Sequence, residues 1–136
     1  MPRRWSFKTE PNEYSYGTLE QEKKTVWDGV KNNLALKHLR EVRMGNEILI
    51  YHSGDEKAIV GMAEAIKDAA PDPNDSDEKV VVVNIKSKRK LPRPLTLADI
   101  KAIEELSDFD LVRLPRLSVM PVSREQWDLL EDAMKS

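Results

Sequence analysis

No cysteine occurs anywhere in the 136-residue chain, which removes disulfides, thiol nucleophiles and thiolate metal sites together. Histidine is almost as scarce. His38 and His52 are too few for an imidazole cage, so no metal and no other cofactor is expected. No run approaches the ~18 apolar residues of a membrane span, and Met1-Pro2-Arg3-Arg4 leads into a strand-like stretch rather than an apolar signal core. Neither charge dominates: 22 Lys and Arg against 24 Asp and Glu leave a formal net charge of −2. That balance argues against a generic polyanion binder, which needs clustered cations. A cytoplasmic, monomeric protein without a membrane partner is expected, folded as a single domain over residues 1–136 and burying roughly two-thirds of its unfolded surface.

Catalytic signatures are missing as well. There is no G-x-S-x-G elbow, P-loop, zinc-protease helix, EF-hand loop or dinucleotide glycine fingerprint, and each of those chemistries needs its residues at fixed spacing. His52 and Ser53 are neighbours on a strand-like run, where adjacent side chains point to opposite faces. Glu104-Glu105 and Glu131-Asp132 fall on surface-type helices. Nothing assembles an acid, a base and a nucleophile, so a non-enzymatic protein is expected.

What the chain does have is patterned charge and short alternating segments. Residues 68–78 hold Asp68, Asp72, Asp75, Asp77 and Glu78 and no base; residues 79–94 hold Lys79, Lys86, Lys88, Arg89, Lys90 and Arg93 and no acid. Such a strip suits a solvated strand face or a phosphate backbone. Trp5-Ser6-Phe7-Lys8 reads as a strand stopped by Pro11, and Ser15 caps a short helix to Lys23. A helix is expected from Asn32 to Met44, ended by Gly45. Strands follow at Glu47–His52 and Ala58–Ile66, with Gly61 a bulge or close-approach point. After a loop at 71–77, Val80–Ile85 reads as a strand, closed by Pro92 and Pro94. Thr96 caps a helix holding Leu97, Ile100 and Ile103; Leu117–Val122 forms an edge strand; Ser123 and Gln126 make a capping box for the last helix, with Trp127 and Leu130. Five strands and three or four helices predict an α+β fold, a mixed or antiparallel sheet curled into a small barrel with helices to one side.

Trp27 is the residue with most to say about function. It stands immediately before the Asp28-Gly29 turn, where an indole can face a cavity as well as anchor a core. Placed so, it supplies a flat wall for a planar ligand such as a nucleobase. Its replacement by alanine is expected to remove most binding and leave folding nearly intact.

Four segments together, Trp5-Ser6-Phe7-Lys8-Thr9-Glu10-Pro11, Val26-Trp27-Asp28-Gly29-Val30-Lys31-Asn32, Tyr51-His52-Ser53 and Arg116-Leu117-Ser118-Val119-Met120-Pro121-Val122, resemble the EVE domain. This family belongs to the PUA-like folds and is related to the YTH readers of methylated adenine. The resemblance implies a PUA-like pseudobarrel of five or six strands with peripheral helices. It also implies non-enzymatic binding of DNA or RNA carrying a modified base, cytosine in DNA or a methylated base in RNA, flipped into an aromatic pocket. On that pattern Trp27 is the stacking wall. Lys8, Thr9 and Glu10 line the pocket, Asp28 and Asn32 hold the base edge, and Tyr51, His52 and Ser53 form the rim, with Trp5 beside them. Lys31, Arg113 and Arg116 are the phosphate candidates. The chain departs from the family where Asn33 and Leu36 replace an aromatic and part of an Ala-Arg pair, and where Lys31 replaces an arginine, keeping charge without bidentate geometry. Two rivals remain open: a protein-interaction module with a vestigial pocket, and an enzyme acting on a modified base or nucleotide-like molecule, with Glu10 and Asp28 as acid and base.

Overall fold

In the computed structural model, which describes residues 3–135, Trp5, Ser6 and Phe7 are buried in succession on the first strand, β1 (Arg4–Thr9). Burial on both faces marks a strand covered from either side, and β1 lies inside the sheet. The chain continues through α1 (Tyr16–Glu22), β2 (Lys24–Trp27), α2 (Asn33–Leu39), β3 (Glu47–His52), β4 (Ala58–Ala65), β5 (Ala70–Pro71) and β6 (Val81–Thr96). It finishes with α3 (Leu97–Lys101), a 3-10 turn at Glu104–Leu106, α4 (Asp110–Arg113), β7 (Val119–Val122) and α5 (Arg124–Met134).

The sheet order is β2-β6-β4-β3-β1-β7, with β5 paired to β6. Only β1 and β3 run parallel, and the stretch through α1, β2 and α2 supplies the crossover that a parallel pair needs. The sheet is therefore mixed, as expected, with seven strands instead of five or six. Its ladder is an open path, since β2 and β7 end it without pairing each other among the described residues. Side chains bring its first strand to its next-to-last: Trp27 of β2 packs on Phe7 of β1 with ring centroids 5.3 Å apart. The curl is made by packing, not by a closing strand pair.

Several sequence expectations need correction. Pro92 and Pro94 do not close the sixth strand, which runs 16 residues through both. Ile59 pairs with Leu95 and Gly61 with Lys90, so both prolines sit in a bulge where no ladder bond is lost. The helix expected from Asn32 to Met44 stops at Leu39. Asn46 Oδ1 accepts both the Arg43 N–H at 3.0 Å and the Trp5 indole N–H at 3.0 Å, and this polar knot holds residues 40–46 as turns. Trp27 belongs to a strand, β2, that local pattern did not reveal, and the loop expected at 71–77 begins inside β5. Ile103 lies beyond the helix that Thr96 caps. The caps themselves are as expected: Ser15 on α1, and capping boxes at Thr96 and Ser123. Gly61 is a close-approach point, because a Cβ there would lie 2.4 Å from Tyr16 Cζ.

Candidate functional site

A cleft of about 500 Å³ opens where β1 and β2 end side by side. Lys8, Thr9 and Glu10 enter it from the end of β1, and Thr25 through Lys31 from β2 and the turn that follows. Gly29 has φ +77°, a conformation costly for any residue with a Cβ, and it turns the chain back so that Asp28 and Lys31 border one opening. Glu13, Tyr14 and Ser118 complete the wall.

Trp27 is 8 % exposed. Phe7 packs on it at 42°, and Tyr14 stands edge-on at 88° with centroids 6.1 Å apart. The turn after β1 fixes Tyr14: its N–H donates to the Glu10 carbonyl at 2.9 Å, and the Tyr14 carbonyl accepts the Thr9 hydroxyl at 2.8 Å. The phenol donates to Glu22 Oε1 at 2.7 Å. Burial, followed by that carboxylate, pushes the Tyr14 phenol above its ordinary value, so at neutral pH it remains a donor. A second aromatic thus borders the cleft from the β1 turn, not from the α2 position where Asn33 and Leu36 stand. No periodicity marks Tyr14; its only sequence signal is its place just after the Pro11 turn. Ser118, which reads as an ordinary strand position, also lines the cleft, next to the β1 end where its carbonyl accepts the Lys8 N–H at 2.8 Å.

Polar groups in the cleft differ in how free they are. Lys8 is half-buried, and burial holds its ammonium below the usual lysine value. Its Nζ donates to the Pro115 carbonyl and lies 5.6 Å from the Tyr51 ring centroid. Glu10 Oε1 accepts the Asn12 N–H at 3.3 Å, whereas Oε2 is buried with no partner among the described residues. Lys31 is already paired, its Nζ donating to Asp75 Oδ2 at 2.9 Å. That hydrogen bond raises the Lys31 value and lowers that of Asp75.

Of the residues singled out from sequence, Trp27, Lys8, Thr9, Glu10, Asp28 and Lys31 come together in the cleft. The others do not line it. Asn32 caps α2, its Oδ1 accepting the Ala35 N–H at 3.0 Å. Trp5 is fully buried, held by Asn46 and tilted against His38 with centroids 6.3 Å apart. Tyr51 is buried beneath Lys8. His52 is structural: Nε2 accepts the Tyr16 N–H at 2.9 Å, so Nδ1 carries the proton it shares with Glu56 at 2.7 Å. Ser53 binds back to the Thr9 carbonyl, its N–H at 2.9 Å. Arg113 pairs with Asp110 at 2.8 Å on α4, and Arg116 is exposed in the loop before β7. No group of three or more metal-ligating side chains occurs among the described residues, and no helix there is long and apolar enough to cross a membrane.

The EVE domain family model matches residues 3–133. The chain belongs to the EVE domain family. Its fold is accordingly α+β and PUA-like. The human thymocyte nuclear protein 1 is 28 % identical over 160 residues, covering 93 % of this chain and 71 % of the human protein. Among solved structures, Rpa0253 from Rhodopseudomonas palustris is 38 % identical with TM-score 0.92, covering 98 % of this chain and 93 % of that one. Human THYN1 solved in complex with 5-methylcytosine-containing DNA is 25 % identical with TM-score 0.89, covering 98 % of each chain.

Proposed function

We propose that this EVE domain binds nucleic acid carrying a modified base, receives that base extruded into the Trp27 cleft, and performs no turnover on it. The carrying observation is the cleft's combination of a Trp27 wall, Tyr14 at a right angle to it, and two carboxylate residues, Glu10 and Asp28, in its lining. A carboxylate there is an acceptor for the exocyclic amine of cytosine or adenine. Asp28 offers a second acceptor, and Val26 and Val30 offer apolar surface for a methyl group. Because a human relative was solved with 5-methylcytosine DNA, 5-methylcytosine is the first ligand to test, ahead of methylated bases in RNA. The Thr9 hydroxyl is spent on the Tyr14 carbonyl and so is not poised as a nucleophile beside the two carboxylates.

One observation favours a different reading, a protein-interaction module: most of the Trp27 indole is covered by side chains. Intrinsic Trp fluorescence separates the two during titration with short strands bearing cytosine, 5-methylcytosine, 5-hydroxymethylcytosine, adenine or methylated adenine. Quenching by one modified strand, lost in Trp27→Phe, is the expected result. Silence across the DNA and RNA panels would leave the interaction module as the better account.

A further inference from the structure

Charge is ordered along β6. The hairpin that precedes it carries Asp72, Asp75, Asp77 and Glu78; next comes Val83, paired with Trp27, and then Lys86, paired with Lys24. Beyond these lie the exposed Arg89, Lys90 and Arg93. Across the sheet the Lys24-Lys86 pair continues through Glu64 and Glu47 to Arg4. Glu64 and Glu47 occupy Lys86 and Lys88, at 3.7 and 3.5 Å. No ion pair among the described residues holds Lys24, Arg89, Lys90 or Arg93. On the other flank Lys31, which lines the cleft, is already neutralised by Asp75.

We infer that a bound strand leaves the cleft in one direction only, its phosphates following Lys24 and then Arg89 and Arg93, while the acidic hairpin bars the opposite exit. This rests on the Trp27 cleft being where the base enters. Lys24 is three residues before Trp27, about 10 Å along the ladder, and Arg93 ends the track within ~33 Å of Val83. Opposed charge on the two flanks makes the polarity of the strand, as well as its modified base, part of recognition.

The test uses labelled nine-nucleotide DNA single strands with 5-methylcytosine at the 5′ end, the centre or the 3′ end, and an unmodified copy. Affinity is measured by anisotropy over a salt series. The proteins are wild type, the triple variant Lys24→Gln/Arg89→Gln/Arg93→Gln, and the control Lys101→Gln/Arg124→Gln, each checked by melting temperature. A single-stranded ligand loses ~0.7 of its log–log salt slope per phosphate contact removed. The triple variant should therefore be shallower by about 2 on modified and unmodified strands alike, with the control unchanged. One terminal placement should keep the wild-type slope and the other lose it. An unaltered slope in the triple variant, equal slopes for both terminal placements, or no salt-dependent binding at all would overturn the track. The ratio of modified to unmodified affinity reads the cleft separately, so a ratio of one would end the modified-base reading while the slopes still decide the track.

Discussion

Removing the Trp27 indole should damage the fold before it reports on binding. Trp27 is 8 % exposed and wedged between Phe7 and Tyr14, so it ties the first sheet strand in the path to β1 across the curl. Truncating a buried Trp to alanine costs about 3–5 kcal/mol. For a domain of this size, that is a fall in Tm of roughly 10–20 °C. The burial of this ring thus argues for a larger loss of stability in Trp27→Ala than its position before a turn suggests. Trp27→Phe keeps most of the ring packing and should melt within about 5 °C of wild type. If a base stacks on this wall, losing it costs ~1–3 kcal/mol, about 5- to 150-fold in Kd. Thermal melts by circular dichroism, paired with anisotropy on 5-methylcytosine DNA at a temperature where each variant is folded, separate the two effects. A Trp27→Ala protein that melts within a few degrees of wild type would refute the packing argument. A folded Trp27→Ala protein that binds modified DNA like wild type would refute the site.

Gly61→Ala should destabilise by about 1–3 kcal/mol through overpacking, because its Cβ would meet the Tyr16 ring at 2.4 Å. In a Tyr16→Ala background the same change should cost far less, a coupling that urea unfolding of the four proteins would reveal. Asp75→Asn releases Lys31 from its 2.9 Å partner and should tighten binding to short DNA by roughly 2- to 5-fold at low salt, an advantage that fades as salt rises. Burial, the larger cause, holds His38 below its ordinary value, so the fold keeps this ring neutral while the unfolded chain takes up a proton near pH ~6.5. Stability should then be full above that pH and decline as pH falls through the lowered folded value; urea midpoints across this range should be flatter in His38→Gln.

Local signals in the sequence carried much of the architecture. The caps at Ser15, Thr96 and Ser123 were legible because each depends on side chains within one turn of the backbone they bond. β1 was legible from its alternation of apolar and polar residues, β3 and β4 from their apolar runs, and four ordered motifs around Trp5, Trp27, Tyr51 and Arg116 pointed to the EVE family that the chain matches over residues 3–133. Trp27 could be marked as facing a cavity because the Asp28-Gly29 turn is a local feature. Tertiary structure alone decided the rest. Tyr14 reaches Trp27 only when the β1 turn folds over the end of β2. His52 and Tyr51 share a motif with Ser53 but are drawn into the interior by Tyr16 and Lys8. Lys31 is matched by Asp75, 44 residues away, and the two prolines of β6 are tolerated only because the β4 register skips there. Each of these outcomes depends on which strands pair and in what register, and neighbouring residues along the chain do not encode that. The pairing is settled by burying one shared core, and the sheet's curl then determines which side chains meet at the cleft.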